Sequence, residues 1–461
     1  MMNTARVLLL IFASLGVFFG HLPAAENSRR PNIVLIVSDD QGYQDLGCYG
    51  SEEAKTPHLD RLAEGGVRLT DFYVTWPACT PSRGSLLTGR YPQRNGLYDM
   101  IRNDMVNYGH RYTEAEYAIS PEMTLGMDLR EVMISQPLKA AGYTCGVVGK
   151  WDSGRAKRFL PLQRGFDFYY GFANTGIDYW THERYGVPSM FRGNERIQEE
   201  GYATDLFRRE AVGFIRQNRD RPFFLYVPFN APHSASSLED KTVQAPPQYI
   251  SRFSHLKMKE TRIKYLACLA CMDDAVGEIL STLRNEGLEE NTLVVFMSDN
   301  GGSGPSRNTP LSGTKSTMYE GGIRVPMIAR WPGRLPAGAV NHEFLTALEI
   351  FPTFIHATGA KAPEGVVLDG FDLLPVITGQ EKSKRTEMFW EKQFDKAARV
   401  GNFKWIESSK VSGLFDLSKD IGETHDLSTE QPETLARVKA RFENWKRDMD
   451  AAEPRGPFRD Y

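Results

Sequence analysis

The chain has 461 residues, 41% hydrophobic and 25% charged, with a formal net charge of −3. Such a length can bury a large core in one big domain with an appendage, or in two domains. The near balance of acids and bases excludes the strongly basic footprint of a nucleic-acid-binding protein.

At the N-terminus Arg6 precedes an apolar run from Val7 to Gly20, then small Ala24 and Ala25 and polar Glu26-Asn27-Ser28. This pattern predicts a secretory signal peptide over 1–25 and a secreted or periplasmic mature protein. The run is short of the roughly 20 residues that span a bilayer, so no stable membrane association is expected.

Four short apolar runs then read as buried strands: Ile33–Val37, Thr144–Val148, Phe223–Pro228 and Leu293–Met297. Helical patterns fall between them at Pro57–Glu64, Gln136–Ala141, Tyr202–Gln217 and near Met258–Glu286. This alternation predicts an α/β fold, a large mostly parallel or mixed central sheet flanked by helices, over 31–384. The style changes over 385–461. Candidate strands at Glu387–Trp390, Arg399–Val400, Phe403–Glu407 and Leu414–Asp416 precede a helix at Pro432–Asp448, which reads as a small antiparallel sheet with one helix. Of the five cysteines, Cys268 and Cys271 sit in a helical pattern, where thiols pack as small hydrophobes.

Two of the strands end alike. Ile33–Ser38 runs into Asp39-Asp40, and Leu293–Ser298 runs into Asp299-Asn300. Either pair alone is also an ordinary strand-to-loop cap. If the strands are neighbours, three carboxylates and an amide converge where α/β sheets gather ligands. Hard oxygen donors of that kind suit Ca²⁺, or Mg²⁺, rather than zinc.

Between them lies Cys79-Thr80-Pro81-Ser82-Arg83, extended to Thr88-Gly89-Arg90. Together with the two acidic strand ends, this segment resembles the signature of the type I sulfatases, of the alkaline phosphatase superfamily. The resemblance runs from about Pro31 to about Leu427. It implies a sulfuric ester hydrolase in which Cys79 is oxidised by a formylglycine-generating enzyme to formylglycine (3-oxoalanine). It also implies that Asp39, Asp40, residue 79, Asp299 and Asn300 hold the cation, and that Arg83 contacts the formylglycine oxygen. Lys150 and Lys315 match the family's sulfate-binding lysines. His233, in Asn230-Ala231-Pro232-His233, matches the family's histidine after the central strand and is the candidate to protonate the leaving alcohol.

One position departs from the family's pattern. After Gly149-Lys150-Trp151 the family most often carries histidine, and this chain has Asp152. Asp152 is expected either to act as the base that expels sulfate or to pair with Lys150 or Arg155. The segment Asp178–Arg184 mixes aromatic and charged residues suited to a sugar, or simply to ordering a long loop; His182 is its candidate substrate contact. Sulfated carbohydrates, with aryl sulfates as surrogates, are the expected substrates. The rival readings are a phosphodiesterase or phosphonate monoesterase of the same superfamily, and a non-catalytic sulfated-glycan-binding relative.

Overall fold

The computed structural model describes residues 30–456; the expected signal peptide lies outside them. The large sheet has ten strands: β1 (Asn32–Ser38), β2 (Val67–Leu69), β3 (Thr144–Lys150), β4 (Phe168–Phe172), β5 (Met190–Arg192), β6 (Glu195–Arg196), β7 (Phe223–Pro228), β8 (Thr292–Ser298), β9 (Met327–Arg330) and β10 (Ala339–Asn341). Their spatial order is β10-β2-β9-β8-β1-β7-β3-β4-β5-β6. The centre, β8-β1-β7-β3-β4, is parallel, while β9, β5 and β6 join antiparallel. The four strands expected from sequence are thus the middle of the sheet. The edge strands were not anticipated because they are mostly too short for their pattern to stand out.

Alternate residues of the central strands feed two cores. From β1, Val34 and Ile36 face one cluster and Ile33, Leu35 and Val37 the other. From β8, Val294 and Phe296 are divided from Leu293, Val295 and Met297 in the same way. Burial on both faces is why these strands read as unbroken apolar runs rather than alternating ones. Each fully buried side chain of this size contributes about 1.5–3 kcal/mol. One face is covered by helices α1 (Pro57–Glu64), α4 (Ala203–Gln217) and α5 (Glu260–Asn285). The other is covered by α2 (Cys79–Thr88), α3 (Ser135–Ala140) and α6 (Ile350–Thr358). Cys268 and Cys271 are buried within α5, Cys268 against the Tyr202 hydroxyl at 3.3 Å.

Towards the C-terminus, β11 (Glu387–Lys392), β12 (Asp395–Val400), β13 (Phe403–Glu407) and β14 (Ser412–Asp416) form an antiparallel meander. Helix α7 (Pro432–Asp450) lays Val438, Phe442, Trp445 and Met449 on it, with Trp445 stacked on Phe389 at 5.4 Å between ring centroids. That third core also takes in Tyr73, Tyr91, Met318 and Phe344, so the small sheet is packed against the large unit. Among the described residues no helix is long and apolar enough to cross a membrane.

Candidate active site

β1 and β8 are adjacent and in register, Ser38 opposite Ser298, so Asp39-Asp40 and Asp299-Asn300 leave the sheet side by side at its carboxyl edge. β7 flanks β1 on its other side and leads to His233; β3 follows and ends on Lys150. The crevice at the carboxyl ends of these four strands is where an open α/β sheet binds ligands. Gly149 makes the last step possible. Its φ is +128°, and a Cβ there would lie 2.0 Å from the Pro228 carbonyl oxygen.

Cys79 begins α2, whose ten residues are all buried. Few of them are apolar, and the helix is anchored by polar contacts. Ser82 Oγ donates to the Asp299 carbonyl at 2.5 Å, and Arg83 Nε donates to Asp299 Oδ2 at 2.9 Å. Cys79 Sγ lies 3.3 Å from Asp39 Oδ1 and 3.9 Å from Asp40 Oδ1, and Lys315 Nζ donates to it at 3.3 Å.

The cations are arranged around the carboxylates. Lys150 Nζ donates to Asp39 Oδ2 at 2.7 Å, Lys315 Nζ to Asp40 Oδ2 at 2.8 Å, and Arg83 Nη2 lies 3.5 Å from Asp39 Oδ2. His233 Nε2 is 3.6 Å from Asp40 Oδ2. Asp40 has a left-handed backbone, φ +60°, and its amide donates to Asp299 Oδ1 at 3.2 Å. The cost of that conformation, about 1–3 kcal/mol, is the kind of strain met at functional sites.

Burial pushes the Asp39 carboxyl up, but Lys150, His233 and Arg83 outweigh it and hold it well below the usual carboxylate range. Asp299 goes the other way: burial exceeds the effect of Arg83 and raises it to about 6. Burial, with Asp299 and Asp39 adding to it, pushes the Cys79 thiol far above its usual value. An unmodified Cys79 is therefore a protonated thiol, a poor nucleophile.

Of the pairings expected for Asp152, the structure shows the one with Lys150. Asp152 Oδ1 accepts from Thr80 Oγ1 at 2.7 Å, and Oδ2 lies 3.5 Å from Lys150 Nζ. Arg155 instead reaches Asn174, Ser189 and Pro188. Asp152 pairs with Lys150, then, and the carboxylate neighbours of Cys79 Sγ are Asp39 and Asp40. His182 is not brought to Cys79. Its Nε2 bonds to the Gly201 carbonyl at 2.9 Å, and it lines a separate cavity with Trp180 and Glu199. The physical reason is local: Asp178 accepts the Trp180 and Thr181 amides, curling the segment on itself.

The cavity above Cys79 measures about 310 Å³. His233 and Lys315 line it, as do Asp99, Arg102, Lys392 and Gln393, which sequence reading missed. Ser303, also missed, donates to Asp40 Oδ2 at 2.9 Å. Its only sequence signal was its place in the Gly-rich loop after Asn300.

The mixed sheet of this order, with polar residues converging at its carboxyl edge on a helix N-terminus, has the alkaline phosphatase-like architecture. The family model described as "Sulfatase" matches residues 31–360, and one described as "N-sulphoglucosamine sulphohydrolase, C-terminal" matches 314–448. N-acetylgalactosamine-6-sulfatase of Canis lupus familiaris is 33% identical over 97% of this chain and 91% of its own. Arylsulfatase A of Homo sapiens is 32% identical over 93% and 90%. The crystal structure of Ps i-CgsB superposes with a TM-score of 0.81 at 32% identity, covering 90% of this chain and 93% of the other. The chain belongs to the type I sulfatases of the alkaline phosphatase superfamily, and it is a sulfuric ester hydrolase.

Proposed function

We propose that the enzyme hydrolyses sulfate esters of sulfated carbohydrates, using residue 79 as formylglycine and a divalent cation beside it. The observation that carries this reading is the position of Cys79: its Sγ lies 3.3 Å from both Asp39 Oδ1 and Lys315 Nζ, in a cavity that His233 also lines. The relatives' names support the substrate class. They include a sulfatase of N-acetylgalactosamine, and Ps i-CgsB is also known in complex with k-i-k-neocarrahexaose. The signal-peptide pattern supports export to where such glycans occur.

The residues present fit a hard cation. Ligand atoms of Asp39, Asp40, Cys79 and His233 all lie within 4.8 Å of one another. Asn300 Oδ1 is buried beside them without a hydrogen-bond partner, a free acceptor of the type Ca²⁺ or Mg²⁺ takes. Asp39, Asp40, Asp299, Asn300 and residue 79 would hold the ion. When bound, the cation supplies Lewis-acid polarisation and the formylglycine an oxygen nucleophile.

The chain's own residues supply the rest. Lys315 and Lys150 offer ammonium donors to the tetrahedral anion, and the N-terminus of α2 adds its backbone amides. Arg83, locked on Asp299, holds a fixed positive charge under residue 79. His233 lines the cavity and holds the proton that the departing alcohol oxygen needs. Asp152, bound to Lys150 and Thr80, is read as a positioning residue rather than the base.

The direct test is sulfate release from a panel of defined sulfated saccharides, run beside an aryl sulfate and an aryl phosphate diester. Sulfate release from saccharides supports the reading. Turnover confined to the phosphate diester overturns it, and so does saccharide binding without release by protein carrying formylglycine.

A further inference from the structure

The cavity over Cys79 has two walls that the sulfate chemistry does not use. One is the segment holding Asp99 and Arg102; the other is the tip of the β11–β12 hairpin, where Lys392 and Gln393 face the same space as His233 and Lys315. The hairpin is tight: Lys392 pairs with Asp395 across the turn, and Gln393 takes a left-handed φ of +55°.

The charges on these walls are unequal. Lys315 has Asp40 as its ion-pair partner at 2.7 Å, and Arg102 has Asp104 at 2.6 Å. Among the described residues Lys392 has only an uncharged acceptor, the Ser316 carbonyl at 3.2 Å. The neighbouring Glu391 is taken by Lys446 at 2.9 Å. The bond to Ser316 places the ammonium one residue from Lys315, whose amino group marks the sulfate position proposed above. An ammonium without a counter-charge, on the exposed rim of a site for an anionic substrate, gains most from a ligand that carries its own negative charge there.

We infer that Lys392, from the C-terminal sheet, with Arg102 across the mouth, binds a second anionic substituent of the substrate, a carboxylate or another sulfate on the sugar that bears the scissile ester. This inference rests on the sulfated-carbohydrate reading. It makes the small C-terminal sheet part of the specificity of the site as well as a support for the fold.

The test compares kcat/KM for three sugars: one with a single sulfate and no other charge, one with an added carboxylate, and one with an added sulfate. An aryl sulfate serves as the reference for the sulfatase reaction. Wild-type protein is expected to prefer at least one doubly anionic sugar by about 10–100-fold, the range of a charge-assisted contact. Lys392→Gln is expected to lose that preference through KM, and Lys392→Arg to keep it. The two doubly charged sugars separate the carboxylate from the sulfate source. Wild-type turnover of singly and doubly anionic sugars at equal kcat/KM overturns the inference alone, as does a Lys392→Gln variant with the preference intact. Turnover of the aryl sulfate but of no sulfated sugar overturns the carbohydrate reading and this inference together.

Discussion

Nζ of Lys404 lies 2.9 Å from Oε1 of Glu320, with both side chains fully shielded from solvent. The pair joins β13 of the small sheet to the loop that carries Lys315. Glu423 completes it: its Oε1 is 2.7 Å from Lys404 Nζ, and its Oε2 accepts the Glu320 amide at 2.7 Å. Burial, with the negative charge of Glu320 adding to it, outweighs Lys404 and pushes the Glu423 carboxyl up to about 7. Removing Lys404 leaves Glu423 buried without its cation, while Glu320 keeps Arg324 at 3.2 Å. Lys404→Met is expected to destabilise the protein by about 3–5 kcal/mol, and Lys404→Met with Glu423→Gln by less. Chemical denaturation of the two variants checks this; equal losses would mean that charge imbalance is not the cause.

The pH dependence follows from His233. Burial pulls its imidazole below the ordinary histidine value, and Asp39 and Asp40 restore only part of it. A general acid works while protonated, so activity is retained below its pKa and lost as pH rises through it. A lowered pKa moves that loss to the acid side of 6.5. The expected kcat/KM profile has an acid optimum with an alkaline limb that His233→Gln abolishes. Profiles on an aryl sulfate measure it.

Asp152 separates two roles by magnitude. Asp152→Asn keeps an acceptor oxygen for Thr80 and loses only the charge facing Lys150. As a positioning residue it should cost less than about 10-fold in kcat and leave the shape of the pH profile unchanged; a catalytic base would cost about 10²–10⁴-fold. Steady-state kinetics over a pH series decides between them.

The cation should stabilise as well as activate. Asp39, Asp40 and Asp299 crowd one edge of the sheet, and binding an ion there favours the folded state by mass action. Calcium at 100 times its Kd is expected to add about 2.7 kcal/mol. The readout is a rise in Tm with Ca²⁺ over EGTA, smaller in Asp40→Asn.

The centre of the fold was legible because β1 and β8 are buried on both faces and therefore carry unbroken apolar runs that stop abruptly at Asp39 and Asp299. Their adjacency, with Ser38 opposite Ser298, was a condition that only the folded sheet supplies. Cys79, Arg83, Lys150, His233 and Lys315 were legible from the family's motifs. Lys392 and Arg102 were not, since an exposed turn and a loop approach Cys79 only through tertiary packing, and nothing local marks them. His182, the candidate substrate contact, lies in a different cavity from Cys79. Its segment has a suggestive composition, but Asp178 turns it toward Gly201 and away from the site.

The central claim is that residue 79 acts as formylglycine rather than as cysteine. Peptide mass across residues 79–90, measured on fractions of graded sulfatase activity, tests it most directly. Activity is predicted to rise in proportion to the oxidised form and to vanish in Cys79→Ala. Full activity in protein whose Cys79 is unmodified would contradict the account.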